Sequence, residues 1–163
     1  MPPVNSEQRR SDTASRATAA SPDRIYEAFR DPRSLMQWLP PAGMTGRALE
    51  YDFRVGGRYA IELRYDEGTS TSGKTTGDTD ITRGRFVELV PGRRIVQSVE
   101  FESSDLAFAG EMTMTWSFDA AADGALVTVT ADNVPSGISQ ADHDAGLRSS
   151  LDNLASFVEP TRN

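Results

Sequence analysis

Between Arg47 and Ala131 the apolar residues recur at every second position, and toward both ends of the chain the spacing changes to that of a helix. A period of two puts alternate side chains on opposite faces of a strand, so this stretch predicts half-buried antiparallel strands. Leu49, Tyr51 and Phe53 alternate with Ala48, Glu50 and Asp52, and after Gly56-Gly57 the set Tyr59, Ile61, Leu63, Tyr65 alternates with Arg58, Ala60, Glu62, Arg64. Ile81 to Val90 and Arg94 to Phe101 read as a hairpin joined at Pro91-Gly92, a dipeptide suited to a tight turn. Met112, Met114, Trp116 and Phe118 alternate with Thr113, Thr115 and Ser117 before Asp123-Gly124 turns the chain into Leu126 to Thr130. Glu50, Asp52 and Glu62 fall on the outer faces of their strands and read as solvated charge.

The helix signals sit on either side of this meander. Ser21-Pro22-Asp23 offers a capping hydroxyl, a proline for the first helical position and an acid for the first turn, ahead of Ile25, Ala28 and Phe29. Asp31-Pro32 ends that helix and starts a second one carrying Leu35 and Trp38, which Pro40-Pro41 stops. Beyond Pro135, Ser139 is a cap with Asp142 three residues on, and Leu147, Leu151, Leu154 and Val158 form one stripe before Pro160. A short strand is expected over Asp12 to Ala20. Residues 1–10 are polar and predict a disordered tail, and Asp66 to Asp80, rich in Ser, Thr and Gly, predicts a long hairpin loop. The layout is a single α+β domain over residues 11–160.

Composition narrows the function. A chain of 163 residues is one ordinary domain, able to bury roughly 70% of the surface an unfolded chain exposes. Seventeen Lys and Arg against 24 Asp and Glu give a net charge of -7, which repels phosphate backbones, so nucleic acid is not an expected partner. The chain has no cysteine, hence no disulfide, thiolate nucleophile or thiolate metal site, and no apolar run resembles a signal peptide or a membrane span. A soluble cytoplasmic protein without a cofactor is the simplest expectation.

Two motifs invite chemistry. Gly68 to Thr75 spells the phosphate-loop pattern of glycine, four residues, glycine, lysine and a hydroxyl residue. A phosphate loop needs a helix at its end, but Thr76-Gly77-Asp78-Thr79-Asp80 follows, with two acids and no helical period, so nucleotide hydrolysis is rejected. The one histidine, His143, lies between Asp142 and Asp144. A zinc site normally takes three or four protein ligands, and no second His or any Cys exists to help supply them. His143 stands four residues before Leu147 on the inward stripe, and Ser150 lies seven residues after His143, a rise of roughly 10.5 Å that rules out direct activation of its hydroxyl. It reads as a half-exposed residue at a helix start, with a polar contact to ligand as the alternative.

The helix pair ending in Trp38, RVGGRY at 54–59, GRFVELVPGRRIV at 84–96 and DHDAGLRSSLDNLASFVE at 142–159 occur in an order that resembles the SRPBCC superfamily, also called START or birch-pollen-allergen-like. Within it the chain is most similar to the branch named for the activator of the heat-shock-protein-ninety ATPase. The resemblance runs from about residue 12 to 159 and implies a helix-grip fold, a curved antiparallel sheet wrapped around the C-terminal helix with a cavity between them. Two departures stand out. Many relatives carry a Gly-Trp pair early in the last helix where this chain has Gly146-Leu147, and the co-chaperone that names the branch has an additional N-terminal domain for which this chain has no room.

On that fold Tyr59, Ile61 and Leu63 share the concave face with Met112, Met114 and Trp116, while Phe101, Trp38, Leu147 and His143 complete the wall of a candidate ligand site. Methionine adapts to irregular shapes and aromatic rings supply area, which suits a mainly apolar pocket, although roughly half of these residues should be plain packing. Arg83, Arg85, Arg93 and Arg94 are assigned to the surface, where charge protects strands from edge pairing. The expected function is binding of a hydrophobic or amphipathic small molecule. The alternatives are a polyketide-cyclase-like enzyme, with His143 or Tyr59 handling protons, and a co-chaperone-type interaction module. A homodimer is expected from the relatives alone, and no metal or membrane is expected.

Overall fold

The computed structural model describes residues 10–66 and 78–160. Each helix begins on the capping residue its sequence supplies. Ser21 accepts from the Arg24 amide at 3.2 Å and starts α1 (Pro22–Arg30), Asp31 accepts from the Arg33 amide at 2.8 Å and starts α2 (Pro32–Trp38), and Ser139 accepts from the Asp142 amide at 3.1 Å and starts α3 (Gln140–Val158). These caps satisfy amides that a helix leaves unpaired at its start.

Among the described residues the strands are β1 (Asp12–Thr18), β2 (Met44–Tyr51), β3 (Arg58–Tyr65), β4 (Thr79–Val90), β5 (Arg94–Phe101), β6 (Met112–Ala121) and β7 (Gly124–Asp132), and a 3-10 turn covers Leu106–Phe108. They form a single antiparallel sheet in the order β1-β7-β6-β5-β4-β3-β2. The meander from β2 to β7 is sequential, and β1 returns to pair with β7, so α1 and α2 carry the chain from one edge of the sheet to the other. This curled sheet and its long C-terminal helix make the helix-grip α+β architecture.

The observed strands amend the expected ones in detail. β1 ends at Thr18 instead of Ala20, and β4 begins at Thr79, inside the span expected to be loop. Leu49 was expected on the inner face with Tyr51 and Phe53. A bulge between Ala48 and Glu50 turns it outward instead, and it is 42% exposed while Ala48 packs inward. One extra residue reverses the facing of what precedes it. In β7 the inward set is Ala125, Val127, Val129 and Ala131, with Leu126 outside. The turn at Pro91-Gly92 is as expected, with Gly92 at a φ of 72° and the Arg93 amide bonded to the Val90 carbonyl at 2.9 Å. The phosphate-loop-like motif at Gly68 to Thr75 lies outside the described residues.

The core is an aromatic block between the helix pair and the sheet. Trp38 meets Phe29 at 4.8 Å and Trp116 at 5.7 Å between ring centroids, both edge-on. Tyr26 meets Phe53 at 5.6 Å, and Phe53 meets Phe86 at 5.0 Å. α3 buries Leu147, Leu151, Leu154 and Val158, lying chiefly on β1 and touching α1 and α2. Each such buried leucine contributes about 1.5–3 kcal/mol.

Because α3 is held through its start as well as its stripe, Ser139→Ala should destabilise the fold by about 1 kcal/mol, and Ser139→Asp should restore it. Urea unfolding would show a lower midpoint for the alanine variant with an unchanged slope.

Candidate functional site

The inner face of the sheet has two unlike ends. At the end nearest the β4–β5 turn it is solid: Tyr26, Phe29, Trp38, Phe86, Trp116 and Phe118 are all buried. Toward the other end Leu63 on β3 and Phe101 on β5 are only half-buried, resting against the core beside the buried Val99 and Met112, and Met114 in the middle of β6 is half-buried as well. The strand register takes Leu63, opposite Asp80, and Phe101, opposite Thr82, to that end, whereas Met114 stands opposite Gln97 in the row of Phe86, at the border of the solid part. Met36 and Pro40, from α2 and the loop after it, join Leu63 over Gly46, where a Cβ would lie within 2.8 to 3.1 Å of all three.

Of the residues singled out as a ligand wall, Trp38, Tyr59, Ile61, Met112, Trp116 and Leu147 are buried in the core, and Leu63, Phe101 and Met114 are half-buried. The polar atoms of the buried aromatics are occupied within the protein. Trp38 donates its indole N–H to the Ala28 carbonyl at 3.0 Å, and Trp116 donates to Gln97 Oε1 at 3.0 Å. The Tyr51 hydroxyl donates to the Phe29 carbonyl. Burial pushes the Tyr51 and Tyr59 phenols far above the ordinary tyrosine range, with Tyr51 and Glu111 adding to the effect at Tyr59. Neither is a proton carrier near neutral pH.

Tyr59 has a different task from the one expected of it. The β4–β5 ladder skips Gly84 and Arg85 between Arg83↔Glu100 and Phe86↔Gln97. There the Tyr59 hydroxyl donates to the Ser98 carbonyl at 2.6 Å, and the Arg85 amide donates to Ser98 Oγ at 2.9 Å. Side chains thus take over ladder bonds. Only glycine fits at residue 84, because a Cβ there would stand 1.8 Å from the Ser98 carbonyl oxygen and 2.9 Å from the Tyr59 hydroxyl oxygen.

His143 is turned onto protein as well. Its Nδ1 lies 2.7 Å from Asp12 Oδ2, and the imidazole is 14% exposed. Asp12 is buried on the first strand, where it also accepts from Arg10 Nε at 2.9 Å. The Arg10 guanidinium donates in turn to the Ile138 carbonyl, ahead of the Ser139 cap. One carboxylate therefore ties β1 to the start of α3. Burial raises the Asp12 pKa, but the hydrogen bonds from Arg10 and His143 outweigh it and hold the carboxyl below the usual carboxylate range. A depressed folded-state value contributes stability above the unfolded value, near 4, that is lost as the pH falls through it.

Three polar groups along the inner face escape a reading of pattern alone. Asp80 is buried beside Leu63, the Tyr65 hydroxyl lies 3.5 Å from Asp80 Oδ2, and Gln97 holds Trp116. The Tyr65 phenol is raised by burial and then by Asp80, and Asp142 at the start of α3 acts in the same direction, which brings that helix end to the site. Inward parity on β3 and β4 was the available signal for Tyr65 and Asp80. Among the described residues no group of three or more His, Asp or Glu could hold a metal, and no helix is long and apolar enough to cross a membrane.

A seven-stranded antiparallel sheet gripping a long C-terminal helix, with an aromatic inner face, defines a helix-grip domain. Residues 19–159 match the family model described as activator of Hsp90 ATPase homolog 1-like protein, and the chain belongs to that family. Among solved structures it is similar to a protein of Chromobacterium violaceum, at 34% identity and a TM-score of 0.83 over 93% of this chain and 98% of that one. A protein of Rhodobacter sphaeroides shares the fold at 17% identity and a TM-score of 0.73, covering 90% of each chain. A protein of the dynemicin biosynthetic locus shares it at 19% identity and a TM-score of 0.65, over 90% of this chain and 46% of that one. No curated protein matches.

Three outcomes follow for the polar tethers. Asp12→Ala should cost roughly 3 kcal/mol near neutral pH, because it strips a buried charge pair of one member. Asp12→Asn should flatten the acid limb of a stability-against-pH curve that in the parent protein falls below about pH 4. Tyr59→Phe should cost about 1–2 kcal/mol by urea unfolding, since it leaves the Ser98 carbonyl without its donor.

Proposed function

We propose that this chain binds an amphipathic small molecule at the half-open end of the inner sheet face, between β3–β6 and the first turns of α3. The observation that carries this reading is the gradient of burial. The aromatic block at one end is closed, with the Trp38 and Trp116 indoles spent on protein, whereas Leu63 and Phe101 at the other end are half-buried near Asp80 and Tyr65, with half-buried Met114 at the border between the two. A mainly apolar bed with a few polar groups at its rim is the common form of a small-molecule site. In this reading Ile61, Met112 and Leu147 form the floor, and Trp38, Tyr59 and Trp116 stand behind it and fix its shape. His143 holds the helix end in place through Asp12.

The neighbour from the dynemicin locus favours a second reading, a polyketide-cyclase-like reaction on a chain held at the same end. Tyr65 and Asp80 would then handle protons, in place of the Tyr59 and His143 expected from sequence.

Titration of isotope-labelled protein with 1-decanol, followed by NMR, tests the binding reading. Shifts confined to Leu63, Phe101, Met112 and Met114, with at least tenfold weaker binding in Met114→Lys, are the expected result. An absence of shifts, or unchanged affinity in a folded Met114→Lys variant, would overturn it.

A further inference from the structure

The opening in the β4–β5 ladder has a consequence on the opposite, outer face of the sheet. A cleft of about 240 Å³ lies there, lined by Arg58, Arg83, Arg85, Glu50, Glu100 and Glu111 together with Tyr59, Gly84 and Ser98. The register sets Arg58 directly opposite Arg85 on neighbouring strands. Like charges placed so repel each other unless something between them is negative. Arg85 gives one N–H to the Gly56 carbonyl at 3.2 Å and Arg83 pairs with Glu102 at 3.0 Å, but the Arg58 guanidinium has no hydrogen-bond or ion-pair partner among the described residues.

The acids of the cleft are equally unspent. Glu50, Glu100 and Glu111 make no side-chain hydrogen bond or ion pair among the described residues, although three arginines share their cleft. Glu100 faces Arg83 across the ladder, two residues along the strand from the Arg58–Arg85 row, a step of about 6.8 Å. The cleft is therefore close to neutral in sum and patterned in detail, with the arginines of β3 and β4 in the middle, Glu50 of β2 on one side, and Glu100 of β5 with Glu111 on the other. A simple anion would meet the three glutamates, and a simple cation the arginines.

We propose that this cleft is a binding site for a small zwitterion of the dipeptide or ω-amino-acid class, with its carboxylate between Arg58 and Arg85 and its ammonium group against Glu100 and Glu111. Arginine suits the carboxylate end because its planar fork presents two parallel donors. The site lies on the face of the sheet opposite the half-open inner end, and Tyr59, which lines the cleft beside Gly84, is the residue the two sites share.

Calorimetric and NMR titration with glycylglycine tests the assignment, with N-acetylglycine and glycinamide as ligands lacking one charge. The expected result is binding of glycylglycine with amide shifts at residues 83–85 and 98–100, and at least tenfold weaker binding of either control. Arg58→Gln and Glu100→Gln should each weaken it at least tenfold, while Arg64→Gln, an exposed change elsewhere on β3, should not. Equal binding of N-acetylglycine would make this a plain anion site and overturn the proposal. So would the absence of glycylglycine binding, or unaltered affinity in Arg58→Gln.

Discussion

The position of Trp38 is the constraint on which the rest of the domain depends. Its ring is fully buried, edge-on to Phe29 of α1 and Trp116 of β6, and its indole N–H is donated to the Ala28 carbonyl. A tryptophan can be buried without penalty only when that N–H has a partner. Here the partner is the backbone of the preceding helix. One residue thus sets the angle between α1 and α2, closes one end of the sheet and leaves the opposite end thinner. The division of the inner face into a solid and a half-open part follows from where this ring sits.

Polar groups inside the domain are allotted with the same economy. Tyr51, Tyr59, Trp38 and Trp116 each spend their one donor on a carbonyl or amide oxygen, and Ser150 and Asn153 on α3 donate to the Leu39 and Pro40 carbonyls after α2. A buried donor left unmade costs about 1–3 kcal/mol, so such pairings mark scaffold rather than binding groups. The residues remaining for chemistry are those at the margins, on the half-open inner end and around the ladder opening on the outer face.

Much of the architecture could be read from the chain because half-burial writes itself into alternation, and helix caps are local. Ser21, Asp31 and Ser139 cap the three helices that their sequences predict, and the Pro91-Gly92 turn falls where expected. What escaped were matters of register and long-range pairing. Alternation continues unbroken through Leu49, so nothing local announces the bulge that turns it out. Asp12 lies in a strand of Ser, Thr and Ala, and only the fold brings it to His143, 131 residues away. Tyr59 was recognised as inward-facing, but its hydroxyl passes Gly84 to reach Ser98 on a strand two places over, a contact no spacing rule encodes.

The return of β1 to the far edge of the sheet also orders events in time. Asp12 pairs with Ala131, and α3 lies chiefly on β1, so the first strand finds no partner until almost the whole chain exists. The six strands from β2 to β7 are joined in sequence and can pair as they emerge, at small loop-closure cost. Closure of β1 and α3 then becomes the late, slow step of folding, and during synthesis β1, made first and paired last, is the strand most open to a wrong partner.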